Sequence, residues 1–286
     1  MAGRNRDVAR AVLILVGLLL TSGTAIGGGL GIPSSQGGLG FGNLKNFTGI
    51  RFNLVDNEVR RVGGLNITFW APKENKFAVY QGICLGLLGH SAGLTQGVAV
   101  GLVGVGGNDI QGVALGGIGV GANDIQGVAV GGLGVGCNDL QGVALGLLGV
   151  GGNNMSGIAA GGLGVGGDNL SGIFLGGLGV GGNDLSGIFL GGLGVGGDDL
   201  SGLMAAVGAV GGDDISGVAL AVGYLKGQSL TGLGIGAYNN VKKTTGLSIG
   251  IFNRARVLNG IQIGLLNHAG NNPRGLQWLP GINAHF

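Results

Sequence analysis

The sequence predicts an all-β fold, a β-solenoid with about 15 residues in each coil. Three observations lead to it. Glycine supplies 73 of the 286 residues, while 45% are hydrophobic and only 10% are charged, the opposite of the composition of disordered chains. Only 4 prolines occur and glycine shows no three-residue period, which excludes collagen. A glycine followed by an apolar residue recurs every 15 residues from Gly82 to Gly232, which indicates a repeat array.

The spacing of apolar residues within a repeat predicts the shape of a coil. Residues 172–186 read GIFLGGLGVGGNDLS, with apolar residues at positions 2, 4, 7, 9 and 14. A strand alternates faces with a period of two, so one strand from position 2 to position 9 would divide these residues between two faces. Three short sides of five residues, with glycine at the corners, remove that conflict. The sequence therefore predicts that positions 2, 4, 7, 9 and 14 point inward.

An up-and-down β-barrel of about 16 strands in the outer membrane is the alternative fold, with one strand in each repeat. The alternating residues from Leu276 to the C-terminal Phe286 favour it. Against it, the change of phase in each central unit requires a bulge in each strand, and aromatic residues are only 5% of the chain. These two features favour the solenoid.

Four segments are predicted along the chain. Residues 1–25 combine three arginines, an apolar run over 12–20 and small residues at 23 and 25, the pattern of a secretory signal peptide. Residues 26–81 are expected to form an N-terminal linker and cap, and residues 82–245 the regular glycine-rich repeats. Residues 246–286 are expected to form 14- and 15-residue repeats and an end cap. We therefore expect export to the cell surface or outer membrane, with the periplasm or secretion as alternatives.

Charge is segregated along the chain. No lysine or arginine occurs between Phe77 and Leu225, whereas nine aspartates do; from Lys226 onward there are six basic residues and no acidic one. Binding to phosphates needs a continuous basic surface. We therefore expect no nucleic-acid partner.

Position 13 of the repeat holds the candidate metal ligands. In stacked coils these carboxylates lie about 4.8 Å apart, and Ca²⁺ prefers carboxylate oxygens. Asn154 and Asn169 interrupt the column and reduce its repulsion. Because Asn, Asp and Gly also form solvated turns, a calcium-binding edge and a simple turn are both open, and no other cofactor is predicted. The candidate ligands are Asp109, Asp124, Asp139, Asp184, Asp199 and Asp214.

Position 3 holds bulky apolar residues in three neighbouring repeats, Phe174, Phe189 and Met204. If position 3 faces outward, these side chains form an apolar contact patch for a partner or for lipid. Ordinary drift at a tolerant position is the alternative.

No catalytic site is predicted. His90, His268 and His285 have no nucleophile or metal partner at a recognisable spacing. The repeated GxG patterns lack the strand and helix of a phosphate loop. Cys84 and Cys137 occupy different positions of the repeat and are not expected to form a disulfide.

The C-terminal segment, residues 246–286, reads GLSIGIFNRARVLNGIQIGLLNHAGNNPRGLQWLPGINAHF. It resembles the leptospiral-type surface-repeat proteins, whose units read approximately GLQIGLIN and which often close with an LP..NAHF-like ending. The resemblance is looser over residues 49–245, where Ala and Gly replace Gln and Asn. It implies an exported, envelope-associated bacterial repeat protein and brings no catalytic residues.

The predicted function is accordingly a structural or interaction role at the cell envelope, without catalysis. The partner is an unidentified envelope or surface component, with membrane association through the outer membrane. An outer-membrane barrel with a pore or anchoring role is the alternative.

Overall fold

The computed structural model describes residues 24–26, 28–73 and 75–286. Their regular structure is β-strand, in coils that repeat at about 15 residues, so the predicted β-solenoid is confirmed. They form two compact units, an N-terminal unit that ends at Gly131 and a C-terminal unit from Gly132 to Phe286. Within this part of the chain, no helix has the length and apolar character needed to cross a membrane. The predicted signal peptide, residues 1–25, lies outside the described residues except for 24 and 25.

The N-terminal unit begins with antiparallel strands and continues as stacked parallel ones. Its strands are β1 (Thr24–Ile26), β2 (Gly29–Ser34), β3 (Gly37–Gly42), β4 (Asn46–Asn53), β5 (Arg61–Thr68), β6 (Val79–Gly86), β7 (Gly89–Gly101), β8 (Gly104–Gly116) and β9 (Gly119–Gly131). Strands β1, β2 and β3 pair in antiparallel fashion, whereas β3 to β9 pair in parallel. Gly49, Gly64 and Gly82 share one column, so coils begin within the segment predicted as linker and cap.

The C-terminal unit is a stack of parallel coils, and its last strand is antiparallel. Its strands are β10 (Gly134–Gly136), β11 (Asp139–Gly146), β12 (Gly149–Gly151), β13 (Asn154–Gly161), β14 (Gly164–Gly166), β15 (Asn169–Gly176), β16 (Gly179–Gly181), β17 (Asp184–Gly191), β18 (Gly194–Gly196), β19 (Asp199–Ala206), β20 (Ala209–Ile249), β21 (Phe252–Ala269) and β22 (Trp278–His285). Partners lie 15 residues apart in β15 and β17 and 14 residues apart in β20 and β21. Only β22 pairs in antiparallel fashion within this unit. The parallel pairing of successive coils differs from the up-and-down alternative, in which neighbouring strands run antiparallel.

The inward residues of a central coil occupy positions 3, 9 and 14. In one coil these are Phe174, Val180 and Leu185, and all three are buried. Stacking repeats each of them in the next coil, since Val180 pairs with Val195. The inward prediction is therefore confirmed for positions 9 and 14, and the core residue at position 3 was missed.

Positions 2, 4 and 7 point outward, so the inward prediction for these three columns is wrong. Ile173, Leu175 and Leu178 are 39%, 38% and 51% exposed. The reason is that β15 runs through position 1 without a change of phase. Because strand residues alternate faces, an inward Leu170 at position 14 places Phe174 inward and its two neighbours outward.

Two glycine columns permit this coil. Gly172, at position 1, has a φ of +133°, and a Cβ there would overlap the carbonyl oxygen of Gly157 in the preceding coil. Gly176, at position 5, faces inward, and a Cβ there would overlap the carbonyl oxygen of Gly179 in the same coil. The interior of this coil is thus narrow at position 5 and leaves no room for a larger side chain, and two later coils hold only alanine there, at Ala206 and Ala221.

In the 14-residue coils a buried amide column replaces part of the aliphatic core. Asn239 donates from Nδ2 to Oδ1 of Asn253 at 2.7 Å, and Asn253 donates from Nδ2 to Oδ1 of Asn267 at 2.7 Å. Each of the first two also donates to a backbone carbonyl. These bonds offset the cost of burying the amides.

Candidate interaction surface

The outward columns of the C-terminal unit form an apolar surface, here called the aliphatic face. It is defined by five successive residues in each of the columns at positions 2, 4 and 7, which parallel pairing and backbone hydrogen bonds place side by side. Position 2 contributes Val143, Ile158, Ile173, Ile188 and Leu203; position 4 contributes Leu145, Ala160, Leu175, Leu190 and Ala205; position 7 contributes Leu133, Leu148, Leu163, Leu178 and Leu193.

The chemistry of the aliphatic face is uniform. It has no charged group, no hydrogen-bonding side chain and no aromatic ring. Positions 2 and 4 remain aliphatic as far as Ile261 and Ile263, so these two columns run through nine coils, about 38 Å at a coil spacing of about 4.8 Å. Exposed and half-buried apolar columns of this extent are typical of interaction sites.

A groove of about 490 Å³ opens along the edge of the aliphatic face. At position 4 the small Ala205 lies between Leu190 and Leu220, which leaves a gap in the column. In the same coils Val207 and Val222 place the bulky side chain at position 6 instead of position 7, and both line the groove. The apolar lining suits an alkyl chain and offers no partner for a polar ligand.

The predicted metal ligands at position 13 lie in register on the outside of the coils. The pairs are Asp109 with Asp124, Asp184 with Asp199, and Asp199 with Asp214. Asn154 donates from Nδ2 to Oδ1 of Asp139 at 2.6 Å, and Asn169 donates from Nδ2 to Oδ1 of Asn154 at 2.7 Å. No group of three or more His, Cys, Asp or Glu within the described ranges is arranged to hold a metal ion. Calcium binding along this column stays a prediction.

The apolar contact patch expected at Phe174, Phe189 and Met204 does not exist on the surface. All three side chains are fully buried, because position 3 points inward. They enlarge a core column that holds alanine at Ala144 and Ala159 in the preceding coils. The apolar contact surface of the C-terminal unit lies instead at the residues on either side of them.

The N-terminal unit contains a buried ion pair that sequence reasoning missed. Arg51 and Asp56 form a salt bridge inside the coils. Arg51 also donates from Nε to Oδ1 of Asn66 at 2.8 Å, and Asp56 accepts from Thr68 and Asn53 at 2.6 and 2.7 Å. Burial alone raises the pKa of Asp56, but Arg51 and these hydrogen bonds outweigh it, and the pKa is lowered. Arg51 and Asn66 occupy position 3 of their units, so recognising position 3 as inward would have revealed the cluster.

Among the three histidines and the two cysteines, His90 and Cys84 lie near the buried Arg51–Asp56 pair. His90 is buried, and its Nε2 lies 2.9 Å from Oγ1 of Thr95; burial lowers its pKa to about 4. Cys84 is buried, which raises its pKa to about 12. Neither Cys84 nor Cys137 is disulfide-bonded. A neutral imidazole and a protonated thiol in the core are suited to packing rather than chemistry.

Comparisons with protein-family models, with curated proteins and with solved structures find no match. The resemblance of residues 246–286 to leptospiral-type surface repeats therefore stays a prediction. What the geometry itself provides is an aliphatic face with an apolar groove, on coils whose position-13 edge is acidic.

Proposed function

We propose that this chain is an exported, envelope-associated bacterial repeat protein with a structural or interaction role and no catalysis. Its working surface is the aliphatic face, and the partner is the acyl region of a lipid membrane. The observation that carries this proposal is the outward orientation of positions 2, 4 and 7, with Leu178 half exposed. Burial of such apolar surface is the dominant favourable term in association.

The composition of the face favours lipid over a protein partner. The centres of protein interfaces are enriched in Tyr, Trp, Phe, Met and Arg, which supply specific contacts. The aliphatic face contains none of these residues. Acyl chains require only non-directional apolar contact, which Ile, Leu and Val provide.

The remainder of each coil keeps the molecule at the membrane surface. The column at position 13 is acidic or amidic and exposed, as at Asp184 and Asn154. An apolar face joined to a charged edge favours lying in the membrane interface over crossing the bilayer. The arginine-rich start and apolar run of residues 1–25 and the resemblance to surface repeats support a location outside the cytoplasm.

Flotation with neutral phosphatidylcholine vesicles tests the docking surface. The purified protein is expected to float with the vesicles. A variant with Leu163→Lys, Leu178→Lys and Leu193→Lys is expected to lose at least tenfold in partitioning, because each change removes an exposed side chain whose burial in lipid is worth about 1.5–3 kcal/mol. The matched control adds three lysines at exposed position-12 sites, Asn138→Lys, Asn153→Lys and Asn183→Lys, and is expected to float like the unmodified protein.

Two results would overturn the proposal. Wild-type protein that stays at the bottom of the gradient rules out docking to lipid. A dimer in analytical ultracentrifugation that the leucine variants abolish, without flotation, assigns the face to self-association instead. Export is checked separately by fractionating a diderm host: the mature chain is expected in the envelope without residues 1–25, and retention in the cytoplasm contradicts it.

A further inference from the structure

The last coils of the C-terminal unit carry a column of aromatic rings on their outer surface. Tyr224 and Tyr238 have ring centroids 5.2 Å apart, Tyr238 and Phe252 5.0 Å, and Phe252 and Trp278 5.8 Å. His268 lies 4.3 Å from the Trp278 ring. The rings are partly accessible, and Trp278 is 49% exposed. The first ring, Tyr224, lies in the second of two coils in which positions 5–7 read AVG instead of GGL.

Basic side chains lie beside this aromatic column. Lys226 follows Tyr224 by two residues and Arg254 follows Phe252 by two, so strand alternation places each on the same outer surface as its aromatic neighbour. Arg256 follows Arg254 by two residues, and Lys242 occupies the equivalent place in the preceding coil. Both are exposed. The intervening Leu225, Val241, Asn253 and Ala255 are buried, which confirms the alternation.

The charged side chains of these coils are basic. No acidic residue occurs from Lys226 to Phe286. The pKa of His268 is lowered by burial and by the positive charge of Arg254. A polyanionic surface would therefore meet attraction without compensating repulsion from these coils.

The other side of the aromatic column is apolar. Val222 lies two residues before Tyr224 and Ile235 three before Tyr238, and both line the groove. The outer surface thus passes from aliphatic through aromatic to basic around one coil. Membrane interfaces show the same order from acyl chains, through the level where Tyr and Trp concentrate, to anionic headgroups.

We infer that the coils from Tyr224 to Trp278 bind anionic lipid headgroups, with Lys226, Lys242, Arg254 and Arg256 at the phosphates and the aromatic column at the interface. This inference rests on the proposed docking to lipid and adds selectivity to it. A soluble polyanion would use the basic residues alone, whereas the adjoining groove and aromatic column suit a ligand with both acyl chains and a negative headgroup. The partner is therefore a membrane containing acidic lipids.

Flotation with two vesicle types tests the inference. Binding to vesicles with 30% phosphatidylglycerol is expected to exceed binding to pure phosphatidylcholine by at least tenfold at low salt, since several basic residues contribute. The excess is expected to disappear in 0.5 M NaCl, where screening is strong. The variant Lys242→Gln, Arg254→Gln, Arg256→Gln is expected to lose the excess and keep its binding to neutral vesicles.

The matched control removes three exposed basic groups of the N-terminal unit, Arg60→Gln, Lys73→Gln and Lys76→Gln, and is expected to keep the excess. An equal loss in this control assigns the effect to net charge and overturns the inference. Binding to neutral vesicles without any preference for phosphatidylglycerol also overturns it and leaves the proposed function standing. If single-stranded DNA or polyphosphate in solution binds as tightly as the acidic vesicles, the site recognises polyanions in general and the lipid assignment is wrong.

Discussion

The rings of Phe174 and Phe189 stack inside the C-terminal unit, with centroids 5.5 Å apart and planes 6° from parallel. The two residues lie 15 positions apart and are paired in register. Their stacking links consecutive coils through the core, and strand alternation turns their aliphatic neighbours in the sequence toward solvent. The same alternation therefore builds both the core and the aliphatic face.

Replacing Phe174 by alanine is expected to lower the free energy of unfolding by about 3–5 kcal/mol, because it removes a fully buried ring and leaves a cavity. Ile173→Ala, at the outward neighbour, is expected to cost about 1 kcal/mol or less, since surface changes have small effects. Guanidinium denaturation followed by circular dichroism measures both. Equal losses in the two variants would contradict the assignment of inward and outward columns.

Gly172→Ala is expected to destabilise the protein by about 1–3 kcal/mol or more, because alanine resists a positive φ and its Cβ would overlap the carbonyl of Gly157. Gly181→Ala is the control in the same coil, since a Cβ there meets only the Gly196 carbonyl oxygen at 3.8 Å. The control is expected to change the midpoint of thermal unfolding by only a few degrees. A tolerated Gly172→Ala would show that position 1 does not require glycine.

The stability of the N-terminal unit is expected to fall as the pH drops from about 6.5 to about 4. The pKa of His90 is about 4 in the folded chain, against an ordinary value of 6.5, mainly because of burial. Between these values the unfolded chain binds a proton that the folded chain excludes, so stability is complete above pH 6.5 and is lost below it. The shift corresponds to about 3 kcal/mol in total. The rings of Tyr80 and His90 pack in an edge-to-face arrangement, with centroids 4.7 Å apart, which holds the imidazole in place.

Hydrogen exchange of amides in β6 and β7 across this pH range measures the effect, after correction for intrinsic exchange rates. His90→Gln is expected to flatten the dependence, because glutamine has no charge to gain. His285→Gln, in the C-terminal unit, serves as the control and is expected to retain it. An unchanged pH dependence in the His90 variant would assign the loss of stability to other groups, among which Asp56 lies close enough to act on His90.

Part of the candidate surface could be predicted from the sequence. The sequence spacing alone places Tyr224 and Lys226 on one face, and likewise Phe252, Arg254 and Arg256, because residues i and i+2 of an extended strand share a face. The charge segregation after Lys226 is equally visible. The adjacency of these residues to Val222 and Ile235 was not, because it depends on how each coil bends between positions 5 and 8.

The sequence by itself determined the 15-residue period, the all-β class and the glycine at position 1, since each follows from spacing and residue type. It also placed positions 9 and 14 inward, but on the same ground as the outward positions 2, 4 and 7. Only the tertiary structure decided the phase of the strand between them. A corner at position 1 and an uninterrupted strand through it both place aliphatic residues in a core, and local pattern does not distinguish them. Closure of the coil does, because position 5 approaches the backbone of position 8 so closely that the inward residue there, Gly176, has no room for a larger side chain. Phe174 then enters the core, and Ile173 and Leu175 remain outside as the surface that the protein presents to a partner.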